Sequence, residues 1–171
     1  SFNYYINEFY FKGFGLSRNN ALLIDATSLG LPRGNTMAEV FPNNIVDLTL
    51  RVRKLNTNLE RLQREVINRV DEFCMEYESK IRDMGGIGFF LGGIGPDGHI
   101  AFNVRGSSVH SVTRLTATNY ETQAAAATDL GGIEISRNRL VITIGLATIT
   151  YNPTAATIII AAGEAKSKII A

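Results

Sequence analysis

The sequence contains a single cysteine, Cys74, in 171 residues. That count excludes an internal disulfide framework and any cysteine-rich zinc site. No apolar run reaches the roughly 18 residues that a membrane-spanning helix needs, and residues 1–4 lack the basic start and apolar core of a signal peptide. The 17 basic residues nearly balance the 16 acidic residues, so no global field favours nucleic acid or a membrane as a partner. We therefore expect a soluble, cytoplasmic protein in which any anion site is local.

The hydrophobic content of 45% is sufficient for one core, so residues 1–171 are expected to form a single domain. Aromatic side chains recur at helical spacing in residues 3–12, and Gly13 stops the pattern, which predicts a short helix. The apolar run Ala21–Ile24 predicts a brief strand, and the loop that follows it is rich in glycine and proline.

Residues 45–84 contain neither glycine nor proline, which predicts one long helix or two in tandem. Apolar side chains recur there at steps of three or four residues: Leu48, Val52, Leu55, Leu59, Leu62, Val66, Val70 and Phe73. This stripe must pack against a sheet or another helix, or form a coiled-coil seam between two copies of the chain. Self-association into a homo-oligomer therefore remains an alternative to core packing.

Three apolar runs occupy residues 87–91, 140–146 and 156–162. The second and third are β-branched and bounded by glycine or proline. Such runs are typical of strands that are buried on both faces. Ala124–Ala127 predicts a short helix between two of them. The pattern predicts an α/β fold, a three-layer α/β/α Rossmann-like architecture with a mostly parallel sheet, whose ligands bind at the carboxyl ends of the strands.

The first of these strands leads into a glycine-rich loop: Gly92, Gly93, Gly95, Pro96 and Gly98. Glycines let the backbone approach a ligand closely and direct amide groups at an anion, although a tight strand-to-helix turn would also account for them. Asp97 and His99 lie in the same loop. A carboxylate can orient an imidazole and stabilise its protonated form, so this pair has the chemistry of an acid–base site. A hydrogen-bonded structural histidine in a loop is the alternative.

The stretch GGIGPDGHIAFN, residues 92–103, with SSVHSVTRL at residues 107–115, is similar to the segment of glucosamine-6-phosphate deaminases that carries their catalytic aspartate and histidine. The related 6-phosphogluconolactonases share the GPDGH core but usually follow it with a Thr-Ala-Ser-like sequence. Ile100–Asn103 therefore favours the deaminase family. The resemblance covers most of the chain and is strong from about Tyr77 onward.

The resemblance implies ring opening of an amino-sugar phosphate, aldose–ketose isomerisation and release of ammonia, without a cofactor or metal. Asp97 and His99 would be the catalytic residues. Lys166 matches the phosphate-binding lysine of the family, and a surface lysine at a helix start is the alternative for it. The implied substrate-binding residues are Gly93, Gly95, Gly98 and Lys166.

The chain departs from the family pattern at several positions. The family has a relay glutamate where this chain has Val104, and a phosphate-binding arginine near the position of Thr128. Ser107 and Arg114 match residues that some members use for an allosteric sugar phosphate, but Thr116 stands where a lysine would complete that site. These departures favour an alternative function, that of a non-catalytic sugar-phosphate sensor or scaffold. A 6-phosphogluconolactonase-like hydrolase is a third hypothesis.

The family places a phosphate loop, Gly-Leu-Pro-Thr-Gly-Gly-Thr, before its aromatic helix, together with an aspartate that moves the substrate proton. Gly30–Thr36 resembles that loop but follows the aromatic helix, so a surface loop is the alternative. Residues 31–69 exceed the family's connection and are expected to form a helical insertion. We therefore expect a fragment that lacks the amino-terminal half of a larger protein and is inactive alone.

Overall fold

The computed structural model of the chain describes residues 2–24, 29–95, 97–118, 140–163 and 166–167. The short helix predicted from Ala124–Ala127 lies outside these residues. In the described part of the chain, no helix combines the length and the apolarity that a membrane crossing needs. That residues 31–69 form a helical insertion stays a prediction.

The amino-terminal aromatic segment is helical, as its spacing predicts. Helix α1 (Phe2–Tyr5) continues directly into a π-helical segment (Ile6–Gly13). The rings of Tyr5 and Phe9 stack with their centroids 5.9 Å apart. The helical segment stops at Gly13, which is where the sequence predicts its end.

The strand predicted for Ala21–Ile24 is wrong. This segment follows a 3-10 turn (Arg18–Asn20) and has no regular secondary structure. Its backbone bonds to a side chain instead of a neighbouring strand, because the hydroxyl of Tyr77 donates to the carbonyl of Leu22 at 3.0 Å. A backbone carbonyl in a brief apolar run can thus find its hydrogen-bond partner on a helix side chain.

The long helix is confirmed for its second part only. A short helix α2 (Met37–Val40) and a 3-10 turn (Leu48–Arg51) come first, and helix α3 spans Asn58–Asp83. A capping box fixes the start of α3. The hydroxyl of Thr57 accepts from the backbone N–H of Glu60 at 3.1 Å, and the Glu60 carboxylate accepts from the Thr57 N–H at 3.2 Å. These bonds satisfy amide groups that have no partner inside a helix.

The apolar stripe of α3 packs within the chain, which supports the core-packing interpretation. The core joins α3 to the turns before it through Val40, Phe41, Leu50, Val66 and Ile67. Two predicted stripe members do not take part, because Val52 is 88% exposed and Leu59 is 41% exposed. Val52 precedes the helix, so helical spacing does not govern where its side chain points, and Leu59 lies in the first turn of α3.

The described strands form two pairs. Strand β1 (Phe89–Gly93) runs parallel to β4 (Ala156–Ile160), with Phe89 opposite Ala156. Strand β2 (Arg114–Ala117) runs antiparallel to β3 (Leu140–Thr143). Helix α4 (Leu146–Thr150) follows β3. The parallel pair together with the helices confirms the predicted α/β class.

Two details of the strand prediction are wrong. The apolar run at residues 140–146 is a strand only to Thr143, since α4 begins at Leu146. The described strands are also not covered on both faces. The pairing places Leu91 opposite Ile158, and one face of the β1–β4 pair is exposed, with Phe89 at 59% and Leu91 at 51% exposure.

Candidate active site

The loop that carries Asp97 and His99 starts at the carboxyl end of the parallel pair. Immediately after β1, the N–H of Ile94 donates to the carbonyl of Ile160, the last residue of β4, at 3.2 Å. The loop then closes on itself, because the N–H of Gly95 donates to the carbonyl of His99 at 2.8 Å. The structure thus places these side chains at the sheet edge where parallel α/β folds bind ligands.

Asp97 and His99 are in direct contact. The imidazole Nδ1 lies 2.5 Å from Oδ1 of Asp97, and each side chain is only 12% exposed. An ionised carboxylate can only accept, so Nδ1 carries the shared proton. In the neutral tautomer Nε2 then has the lone pair that can accept a proton from a ligand.

Two of the predicted glycines occupy positions that disfavour a larger residue, one for steric and one for conformational reasons. A Cβ on Gly95 would overlap the imidazole ring of His99, so the ring takes the space of a side chain at that position. Gly98, between the two site residues, has a φ of 88°, which favours glycine. Gly93 is less constrained, since the nearest neighbour of an added Cβ would be the carbonyl oxygen of Ile160 at 3.9 Å. Substrate contact by any of them stays a prediction.

Lys166 follows the carboxyl end of β4, as the Asp97–His99 loop follows that of β1. Its N–H donates to the carbonyl of Gly163 at 3.1 Å, and the φ of Gly163 is 88°. The carboxyl ends of neighbouring parallel strands lie at one sheet edge. The predicted phosphate-binding lysine and the predicted catalytic pair therefore follow two strands that end at the same edge.

Ser107 and Arg114 make local contacts. The N–H of Ser107 donates to the carbonyl of Val104 at 2.9 Å. Arg114 opens β2, and its guanidinium donates to the carbonyl of Val112 at 3.3 Å. Burial lowers the pKa of Arg114. Their allosteric role stays a prediction.

The segment that resembles a phosphate loop packs on α3. A Cβ on Gly30 would lie 2.8 Å from the backbone oxygen of Val66. Leu31 packs against the core beside α3. Thr36 forms a capping box with Glu39 at the start of α2. These contacts give the segment a structural function.

The sequence analysis missed two buried residues that hold the loop. Asn103 is part of the quoted motif, and its side-chain amide donates to the carbonyls of Ile100 at 3.0 Å and Ile144 at 2.9 Å. Thr143 ends β3, and its hydroxyl accepts from the N–H of Phe102 at 3.0 Å. Both side chains are polar and buried. A threonine inside an otherwise apolar strand was the only sequence signal for the second contact.

Glu78 is a further buried residue that the sequence analysis did not identify. On α3 it continues the buried stripe of Val70 and Cys74, so a charge at an apolar position was the available signal. Its carboxylate accepts from the hydroxyls of Thr148 at 2.7 Å and Thr113 at 2.8 Å, and it pairs with Arg82. Burial opposes ionisation, but these hydrogen bonds outweigh it and lower the pKa of Glu78.

Several proteins are similar to part of this chain. A glucosamine-6-phosphate deaminase of Caenorhabditis elegans is 49% identical over 76 residues, which cover 44% of this chain and 28% of that protein. That of Borrelia hermsii is 54% identical over 65 residues, 38% of this chain and 24% of the relative. That of Borreliella burgdorferi is 42% identical over 95 residues, 56% of this chain and 32% of the relative. The chain thus covers about a quarter to a third of the length of these relatives. No family model matches the chain.

A solved structure supports the same relationship. It is that of a monomeric glucosamine-6-phosphate deaminase of the NagB superfamily, with a TM-score of 0.51 and 30% sequence identity. The match covers 57% of this chain and 39% of that chain. The resemblance that the Asp97–His99 segment predicts is therefore confirmed: over the matched part, this chain is similar in sequence and fold to glucosamine-6-phosphate deaminases.

Proposed function

We propose that this chain is the histidine-bearing part of a glucosamine-6-phosphate deaminase-like protein that acts on an amino-sugar phosphate. The observation that carries the proposal is the buried contact between Asp97 and His99 at the carboxyl end of β1. The similarity to proteins of that name supports the choice of substrate. The expected compartment is the cytoplasm.

In this proposal His99 opens the sugar ring. Nε2 accepts the proton of the anomeric hydroxyl while the bond between C1 and the ring oxygen breaks, and the proton is then delivered to the ring oxygen. Asp97 accepts from Nδ1 throughout and stabilises the imidazolium that forms between the two transfers. Each proton that leaves the sugar returns to it, so this step yields the open-chain aldehyde.

Ammonia release needs a further step. The proton on C2 must move to C1, which converts the aldose into a ketose imine that water then hydrolyses. In the family an aspartate of the amino-terminal half makes that transfer, and this aspartate has no secure match in the chain. We therefore expect the chain alone to bind the sugar and to release no ammonia.

The phosphate of the substrate is assigned to the edge where β4 ends. Lys166 would act there as a point charge. Gly93, Gly95 and Gly98 would keep the backbone close to the sugar, since the N–H groups of Gly95 and Gly98 already donate to carbonyls within the loop. The near-neutral net charge of +1 makes such a local cation the source of attraction.

A sensor or scaffold without catalysis is the second candidate, and Val104 favours it. This residue follows Asn103 directly, in the place of the family's relay glutamate. A valine side chain can neither accept a proton nor bond to an imidazole. A protein that binds the sugar phosphate without turnover in its complete form would fit this candidate.

Isothermal titration of the chain with glucosamine 6-phosphate tests the proposal, with an ammonia assay run in parallel. His99→Ala is the test variant, and His110→Ala is the matched control because His110 is the second of the two histidines and is exposed. We expect binding that is lost in the first variant and kept in the second, without ammonia release.

Three results would change the conclusion. Ammonia release by the unmodified chain would show that it is catalytically complete. Binding and hydrolysis of 6-phosphogluconolactone in preference to the amino sugar would support the lactonase alternative. Equal binding by the His99→Ala and His110→Ala variants would contradict the assignment of His99.

A further inference from the structure

Asn103 connects the candidate active-site loop to the end of strand β3. Asn103 is 5% exposed. The two N–H groups of its amide are both used, one on the carbonyl of Ile100 at 3.0 Å and one on that of Ile144 at 2.9 Å. Its Oδ1 accepts from the hydroxyl of Ser111 at 3.4 Å. Asn103 thus joins its own loop to the nearby Ser111 and to Ile144, which is distant in sequence.

The loop has a second anchor next to the first. The N–H of Phe102 donates to the hydroxyl of Thr143 at 3.0 Å. The ring of Phe102 stacks on the imidazole of His99, with centroids 5.9 Å apart and planes 14° from parallel. The position of the imidazole therefore depends on a residue that Thr143 holds by its backbone.

The backbone between these anchors and His99 is in a conformation that needs support. Ala101 has a φ of 52°, in the left-handed region that residues with a Cβ seldom adopt. Such conformations persist where surrounding contacts determine them. The N–H and the side chain of Asn103 both bond to the carbonyl of Ile100, directly before Ala101.

We propose that Asn103 is a positioning residue that holds the loop so that Nδ1 of His99 faces Asp97. This inference rests on the proposed function, in which His99 moves the proton of the sugar ring. Only an amide side chain supplies two donors and one acceptor at this length, and an aspartate supplies no donor when ionised. Asn103 acts through the loop and touches no reacting atom.

The test is the proton NMR signal of the Nδ1–H that bonds to Asp97, which lies downfield of the amide signals when an imidazole donates to a carboxylate. The chain has two histidines, so His110→Gln assigns the signal. Asn103→Ala is the first test variant. Asn103→Asp is the second, because it keeps the volume and the acceptor while removing both amide donors, and it decides the question if Asn103→Ala fails to fold.

Ile67→Ala is the matched control, since it weakens the buried core beside α3 without touching the loop. We expect the downfield signal to be present in the unmodified chain and in the control, and to be lost or broadened in both loop variants. Its persistence in folded Asn103→Ala, or in Asn103→Asp if the first variant does not fold, would overturn the proposal. Its absence from the unmodified chain, or its loss in the core control, would overturn it too.

The signal needs no ligand, so this test separates the inference from the proposed function. If glucosamine 6-phosphate fails to bind while the signal behaves as expected, the proposed function fails and the positioning of His99 by Asn103 stands. If the sugar binds through His99 while Asn103→Ala keeps the signal, the positioning inference fails and the proposed function stands.

Discussion

The imidazole of His99 lies so close to Gly95 that a methyl group at position 95 would overlap the ring. We expect Gly95→Ala to lower the free energy of unfolding by about 1–3 kcal/mol, because the ring or the loop must move to make room. Urea unfolding measures this change. Gly88→Ala is the control, since an added Cβ there meets nothing within 4 Å. Equal stability of the two variants would contradict the close packing.

The carboxylate of Glu78 should make the free energy of unfolding decrease at acid pH, and this part of the pH profile is its acid limb. Its pKa in the folded chain lies below the ordinary value of 4.5, so the folded state holds this proton less tightly than the unfolded state. The resulting stabilisation is complete above about pH 4.5 and is lost as the pH falls through the lowered folded-state value. We expect Glu78→Gln to flatten this limb in unfolding measured from pH 7 to pH 3.

At neutral pH the same variant should cost about 1.5–3 kcal/mol, because it removes a charged acceptor from Thr113 and Thr148. Glu76→Gln is the matched control, as Glu76 lies exposed on the same helix. A similar effect of both variants would show that the acid limb does not come from the buried carboxylate.

The hydroxyl of Thr57 is half of the capping box at the start of α3. Thr57→Ala should lower the free energy of unfolding by about 1 kcal/mol, because the N–H of Glu60 loses its cap. Thr57→Ser keeps the hydroxyl and should retain most of the stability. Thermal unfolding by circular dichroism separates the two variants, and indistinguishable midpoints would contradict the capping box.

Cys74 should be unreactive in the folded chain. Burial, the largest cause, raises the pKa of its thiol to about 11, so little of the reactive thiolate is present at pH 8. We expect slow reaction with a disulfide reagent in buffer and rapid reaction in denaturing urea, which exposes the same thiol. Fast reaction of the folded chain would show that the face of α3 bearing Cys74 is open.

The sequence predicts contacts between near neighbours well. Asp97 and His99 are two residues apart and chemically complementary, which predicts the bond between them. The apolar pattern predicts the strand beside them. The contacts that hold this pair were not predicted, because they join distant segments. Neither helical nor strand periodicity indicates that Asn103 meets Ile144 or that Phe102 meets Thr143.

The fold predictions fail where local chemistry overrides spacing. The absence of glycine and proline over residues 45–84 allows a helix but does not start one, and the cap at Thr57 and Glu60 decides where α3 begins. Likewise the second apolar run leaves the strand after Thr143, and at Gly145 the backbone of Ser111 approaches so closely that a Cβ would overlap it. Close backbone approach is a tertiary property that one sequence does not display.

The pairing of Phe89 with Ala156 also predicts the order in which the molecule assembles. Helix α3 and its cap involve residues that are close in sequence, so they can form early and quickly. The β1–β4 pair forms only when most of the intervening chain has been closed into a loop. This closure costs conformational entropy before any contact between the strands stabilises it. Since the Asp97–His99 loop is tied to Ile160 through Ile94 and to Ile144 through Asn103, refolding should restore helicity before it restores the contact between aspartate and histidine.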